Sequence, residues 1–337
     1  MVAGLPDATY IHHLNPILLE LGPLKLRWYG LAYVAGFAVV ILLMRSFARR
    51  GMSRLPEDKV VDFVTYGAIF GVMLGGRFGY ALFYSPDLLF GFRNSFPWWN
   101  FLAINEGGMA SHGGVLGLML FTLWYSWRHK IPWTNLGDNL VVGATLGIFF
   151  GRMANFINGE LYGHVARGVS WAVRFPQEMI RDTRHPALSL DDSTRAELVE
   201  VAIGRHPELE DLGEGDIYSA IIARMREDEA TREALGSYLQ PRHPSQLYEA
   251  FLEGLLLFGI LYFVRIRWPR LRDGILTGVF FICYAVFRII AEQFRVPDSE
   301  MVGPLTKGQF YSVFMIGIGA LFLVWSLRRP NPNRQTT

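Results

Sequence analysis

The amino-acid sequence predicts an all-α polytopic membrane protein, with about seven transmembrane helices and an extracytoplasmic helical head segment. Three observations carry that reading. Apolar residues make up 51% of the 337 and charged residues only 18%, whereas a soluble globular chain is about 25% charged. The apolar residues are grouped in stretches that match the roughly 17 to 25 residues a helix needs to cross a hydrocarbon core about 30 Å thick. One polar stretch, 158–247, interrupts them and holds the mean hydropathy to +0.23. The net charge of +2 offers no concentrated basic surface, so no nucleic-acid partner is expected. Cys283 is the single cysteine, which excludes an internal disulfide and a cysteine-based metal cage.

In chain order, residues 1–27 interleave apolar residues with His12, His13, Glu20 and Lys25 and read as an N-terminal interfacial arm. The histidine pair reads as interfacial rather than metal-binding. The first apolar run starts too late, and without the adjoining basic region, to be a cleaved signal peptide. Spans are expected at 28–44, 60–83, 113–127 and 140–157, which fill segment 28–157, and at 248–264, 275–291 and 310–327, which fill segment 248–327. The third is short and the second carries charges. A tail, 328–337, follows. With the N-terminus outside, the short inner loops hold 14 Lys and Arg and the outer ones 5, and the positive-inside rule then places the N-terminus outside and the C-terminus in the cytoplasm. The external head, 158–247, reads as small helices. Thr194 with Glu197 fits a capping box, Gly204 and Gly213 read as stop signals, and 216–227 has amphipathic spacing. Its charges are expected on a solvated face. No repeat of a convincing period is present, which weighs against an inverted-repeat transporter.

Charged residues inside spans each cost about 2.5–3.5 kcal/mol on insertion scales, so Arg77, Arg152 and Arg288 need a reason. In the inferred topology each lies toward the outer end of its span, level with Tyr29, His112, Gln246, Tyr248 and Glu249 at the outer starts of other spans. The inner halves are mostly apolar, which suits a cavity open to the outer face rather than a channel. Tyr284, Arg288 and Glu292 follow one another at i, i+4, with Arg295 three residues on, and Arg152, Asn155 and Asn158 follow at i, i+3. Each stripe alone could be interhelical bonding that only holds the bundle together; their shared depth favours a site. Glycine-rich stretches at 75–79 and 107–114 flank the same level.

The segment 151–163 reads G-R-x-x-N-F-x-N-x-E-x-x-G and resembles the signature of the bacterial prolipoprotein diacylglyceryl transferases. Further matches in the family's order are Arg27-Trp28-Tyr29-Gly30-Leu31, residues 75–80, Met109-Ala110-Ser111-His112-Gly113-Gly114, Arg242-His243-Pro244-Ser245-Gln246-Leu247-Tyr248-Glu249, residues 287–292 and Lys307-Gly308-Gln309. The departure from the family's pattern is 176–239, which carries no recognised family motif and reads as longer than usual. The resemblance implies a multi-pass enzyme of the bacterial cytoplasmic (inner) membrane with its active site toward the extracytoplasmic face. Such an enzyme moves the diacylglyceryl group of phosphatidylglycerol to the thiol of the lipobox cysteine in a prolipoprotein signal peptide. The products are a thioether and glycerol 1-phosphate, in the first step of lipoprotein maturation.

That chemistry asks for the residue types present. Negative charge develops on a leaving phosphate oxygen, and arginine grips phosphate bidentately. Arg152 and Arg288 are the candidate clamp, with Arg77 a weaker third. A free thiol is only a few per cent ionised at neutral pH, and His112 is the candidate base. Glu160 and Glu292 are candidates for orienting arginines or sharing in proton transfer. Tyr29, Asn155, Asn158, Gly163, Gln246 and Tyr284 are expected to contact substrate, and Cys283 reads as core. No metal-ligand spacing or phosphate-cradling loop is found, so neither metal nor other cofactor is expected, and a monomer is. Rival readings are an anion or lipid transporter, which would leave no thioether, a membrane acyltransferase, which would give a different mass shift, and a signal-peptide receptor, which would bind a precursor unchanged.

Overall fold

A computed structural model describes residues 9–22, 24–104, 107–180, 188–297 and 301–329. Among them the long helices are α1 (Trp28–Arg49), α2 (Glu57–Phe83), α3 (Ser111–His129), α4 (Trp133–Asn158), α5 (Asp192–Arg205), α6 (Glu214–Glu227), α7 (Glu229–Gly236), α8 (Ser245–Arg267), α9 (Ile275–Glu292) and α10 (Lys307–Arg328). Six are long and apolar enough to cross a membrane: α1, α2, α4, α8, α9 and α10. The stretch expected as a third span is helical as α3 but is not among those six. Its Ser111-His112-Gly113-Gly114 start and Arg128-His129 end leave only a short apolar middle. α2 and α8 are not uniform: each contains a seven-residue π-helical segment, Gly67–Met73 and Ala250–Leu256.

The chain divides into two compact units. The first is formed by 1–34, 148–257 and 281–318, the second by 35–147, 258–280 and 319–337. In the first, the head core gathers Leu198, Ala202, Ile221, Met225 and Leu235 from α5, α6 and α7. A three-stranded sheet joins β1 (Tyr10–Ile11), parallel to a central strand at Val173–Arg174, whose other neighbour, Pro241–Arg242, is antiparallel. The rest of the arm is an antiparallel hairpin of Ile17–Leu21 with Leu24–Arg27, which leaves Leu18, Leu19, Leu21 and Leu26 exposed.

Three local expectations change here. Asp191, not Thr194, caps α5, accepting from the Thr194 backbone N–H at 2.9 Å; an aspartate three residues earlier satisfies the same orphan donors. Gly213 opens α6 as its N-cap, and Gly204 lies inside α5. His12 is not interfacial: it is buried between Phe156 and Phe175, each ring 5.4 Å away, and burial pushes its imidazole down to about 4.

The second unit is built around Val40, Met44, Phe63, Phe121, Tyr125 and Leu136. α2 and α3 approach through glycines: a Cβ on Gly75 would lie 2.8 Å from the Gly117 Cα, and one on Gly79 2.6 Å from the Gly113 Cα. Small residues four apart let backbones pack where no hydrophobic driving force exists between apolar helices. Asp138 of α4 caps the start of α9, accepting from the N–H groups of Gly274 at 2.7 Å and Thr277 at 2.8 Å. A helix start is thereby satisfied by a side chain from another helix.

Candidate active site

The charged residues of the first unit assemble around two glutamates at the start of α8. Glu249 and Glu253 lie one turn apart with fully buried side chains. Arg152 of α4 reaches Glu249 at 3.1 Å and Glu253 at 3.4 Å. Arg288 of α9 bonds Glu249, reaches Glu253 at 3.4 Å, and pairs with Glu292 one turn on at 3.0 Å. Arg295, just past α9, completes the set at 3.0 Å from Glu249. Taking ions out of water costs several kcal/mol each, and the attraction repays that only with close, shared geometry. Here each arginine meets at least one carboxylate, and the three charges of each sign cancel. Arg152 keeps 17% of its side chain exposed and Arg288 13%, against 4% for Arg295, so the first two are the guanidiniums with surface left for a ligand. Tyr284, one turn before Arg288, lies within electrostatic reach of Arg152, Arg288, Glu249 and Glu253.

A second network, without arginine, shares α4. The Asn155 amide donates both to the Tyr29 hydroxyl at 2.7 Å and to the Glu160 carboxylate at 2.8 Å. Asn158 donates to the same Glu160 oxygen at 3.4 Å. Helix α4 ends at Asn158, Gly159 turns the chain at a φ of +70°, and Leu161 follows at +59°. This tight turn folds Glu160 back onto the last turn of its own helix. The stretch after the head holds the turn by its backbone. Gln246 donates to the Glu160 carbonyl at 2.6 Å, Ser245 to the Leu161 carbonyl at 2.9 Å, and Arg242 to the Gly163 carbonyl at 3.3 Å. The Gly163 N–H donates to the His243 carbonyl at 2.8 Å, and the His164 N–H to the Phe294 carbonyl at 2.9 Å. A Cβ on Gly163 would lie 2.9 Å from the His243 Cβ, so only glycine fits between the two strips. Arg242 is itself fixed by Glu178, which it bonds in a fully buried ion pair beneath the Tyr162 ring. Burial raises the Glu178 carboxyl, against the pull of Arg242.

The structure therefore brings Arg152, Arg288, Glu292 and Tyr284 into one cluster and Tyr29, Asn155, Asn158 and Glu160 into another. Gln246 and Gly163 serve the second as scaffold. Arg77 is different. It belongs to the second unit, is 3% exposed, and spends its guanidinium on backbone carbonyls: Gly107 at 2.5 Å, Phe101 at 2.7 Å, Asn100 at 2.7 Å, Gly108 at 3.0 Å and Ala103 at 3.3 Å. Five fixed donors with as many carbonyl partners organise the segment before α3 rather than offering a phosphate a free fork. His112, in the same unit, sits exposed on the first turn of α3.

Sequence reasoning missed Glu253 and gave Glu249 no role. The available signal was their own cost: a carboxylate within the apolar run of α8 is as anomalous as an arginine, and two at i, i+4 facing three arginines are the neutralising half of the same cluster.

A mostly helical membrane protein with a buried arginine–glutamate cluster beside an asparagine-centred network is the class that fold and site define. Residues 16–325 match the model of one family, the prolipoprotein diacylglyceryl transferases, and the chain belongs to it. Relatives named phosphatidylglycerol--prolipoprotein diacylglyceryl transferase include one from Bdellovibrio bacteriovorus, 39% identical over 94% of each chain. Another, from Azospirillum brasilense, is 36% identical over 94% of this chain and 96% of its own. A third, from Xylella fastidiosa strain 9a5c, is 38% identical over 95% of each.

Proposed function

We propose that this protein transfers the diacylglyceryl group of phosphatidylglycerol to the lipobox cysteine of prolipoprotein signal peptides. The reading is supported by family membership and carried by one observation of the site. Arg152 and Arg288, from two apolar helices, are held by buried glutamates with part of each guanidinium still exposed. In the reaction the cysteine sulfur attacks the glyceryl carbon that bears the phosphate, and a C–S bond forms as the C–O bond breaks. The electron pair leaves on the phosphate oxygen of glycerol 1-phosphate. Preorganised donors aimed at that oxygen stabilise the developing charge without reorganising, and the glutamates are what preorganise them. Because each guanidinium is already paired, an arriving phosphate meets its exposed edge rather than a bare cation.

The thiol proton goes to His112, assigned as base on the family motif and its histidine chemistry. Tyr29, Asn155 and Glu160 orient the headgroup or peptide. Gln246 Oε1 is a buried acceptor without a hydrogen-bond donor among the described residues, and a hydroxyl such as one of the headgroup's terminal glycerol would satisfy it. Arg77 is left out of the clamp. The site is assigned to the extracytoplasmic face of a bacterial inner membrane, with the N-terminus outside, and the protein acts as a monomer.

The test is direct. Purified protein is incubated with phosphatidylglycerol vesicles and a lipobox peptide, and the peptide is weighed. A gain of one diacylglyceryl group that disappears when the peptide's cysteine is replaced by serine is expected; an unchanged peptide mass would end the reading.

A further inference from the structure

The turn joining α8 to α9 encloses a feature that the transfer reaction leaves unused. Among the described residues, an open cavity of about 610 Å³ is walled by Arg267, Trp268, Arg270, Arg272, Ile275 and Leu327. All belong to the second unit, and none to the arginine–glutamate cluster. With Pro269 and Leu271, which complete the lining, three of the eight residues are arginines, five are apolar or aromatic, and none is acidic. The nearest carboxylate along the chain, Asp273, is already occupied by Arg54 at 3.2 Å and by the Asn135 amide at 2.8 Å. The arginines are set by their surroundings. Arg267 lies over the Trp268 ring, 5.5 Å from its centroid, and Arg272 donates to the Leu327 carbonyl in the last turn of α10. Trp268 itself is half-exposed.

Chemistry and location restrict the occupant. Guanidinium forks match phosphate and carboxylate oxygens bidentately, and the apolar wall decides between the ligands that carry them. An apolar wall of Trp268, Ile275 and Leu327 would be wasted on inorganic phosphate but suits the first carbons of acyl chains. The cavity lies where α8 and α10 end and α9 begins, and each of these helices is long and apolar enough to cross a membrane. Tryptophan and arginine at helix ends are the residues that meet lipid headgroups. From this we infer that the α8–α9 turn is a binding site for the phosphate headgroup of an acidic phospholipid, separate from the candidate active site.

The experiment uses the full-length protein in phosphatidylcholine vesicles doped with a photoreactive phosphatidic acid, with adducts mapped by digestion and mass spectrometry. Adducts are expected within residues 267–275, suppressed by unlabelled phosphatidic acid and not by inorganic phosphate. A photoreactive phosphatidylcholine should label the segment weakly. The Arg267→Gln/Arg270→Gln variant should lower the apparent affinity for the acidic probe by about thirtyfold, at roughly one surface cation's attraction per arginine removed. Equal labelling by the zwitterionic probe would reduce the feature to ordinary lipid contact. Suppression by inorganic phosphate alone would make it a free-anion site. Either result overturns the inference, and both are read on the unmodified protein, so the decision stands if the double variant fails to fold. Adducts confined to helices carrying Arg152 or Arg288 would overturn it as well, while leaving the proposed transfer reaction intact.

Discussion

Replacing Arg288 by glutamine separates what the ion cluster does for stability from what it does for transfer. Arg288 meets Glu249, Glu253 and Glu292, so Arg288→Gln leaves three buried carboxylates facing two arginines. Removing one partner of a buried pair costs about 3–5 kcal/mol. At the 3.4 Å separation of Arg288 from Glu253, one pair is worth about 5 kcal/mol of Coulomb attraction at an effective dielectric near 20, most of it offset by desolvation. Adding Glu253→Gln restores charge balance, and a coupling of roughly 2–3 kcal/mol is expected between the two changes. Turnover should behave otherwise. Loss of one fixed donor to a developing oxyanion costs about 10²–10³-fold, and the second substitution brings no donor back. Denaturant unfolding in micelles gives the first quantity, and the mass gain of a lipobox peptide gives the second. A double variant no more stable than the sum of the singles would refute the cluster as a stabilising unit. One that regained transfer would refute Arg288 as a phosphate ligand.

Other outcomes follow from the same structure. His112→Asn should lower transfer by about 10²–10⁴-fold, the usual range for a positioned base, and abolish the acid limb of the pH–rate profile; an unchanged profile would assign the proton elsewhere. His12, with its imidazole held near 4 by burial and an ordinary value near 6.5, stabilises fully above pH 6.5. The unfolded chain takes up the proton first as pH falls, so about 3 kcal/mol should be lost between pH 6.5 and 4. His12→Phe should flatten that loss in thermal unfolding at pH 7 and 5. Gly79→Ala places a methyl 2.6 Å from the Gly113 Cα, where only backbone can yield, and should cost about 1–3 kcal/mol, read as a lower unfolding midpoint with the lipid substrate absent.

The spans were legible because hydropathy is a property of contiguous residues, and the Arg152–Asn155–Asn158 stripe because helical spacing is local. What spacing could not carry were contacts between distant segments. Arg77 resembles Arg152 in its setting of apolar residues and glycines, yet its fork closes on carbonyls 23 to 31 residues away. Gln246 stands at a helix start, and the spacing there says nothing of the Glu160 carbonyl, 86 residues earlier, that its amide holds. Glu253 carries no signal in the spacing of α8 alone, because its counter-ions lie on two other helices. In the head, the start of α5 was displaced by three residues because Asp191 and Thr194 are both good caps, and only the backbone decides between them.

The π-helical segment of α8, Ala250–Leu256, begins directly after Glu249 and contains Glu253. Such a segment behaves as one residue too many in an otherwise regular ladder. Deleting a single residue there would let the backbone return to its ordinary pitch with the helix beyond still facing as before, whereas a deletion in the regular part of α8 would swing everything beyond by about 100°, the angular step of one α-helical residue. The wide turn is thus a registration device. It absorbs one residue without turning the apolar remainder of the helix away from its neighbours, and it predicts that removing one residue within 250–256 is better tolerated than removing one from the regular stretch Leu257–Arg267.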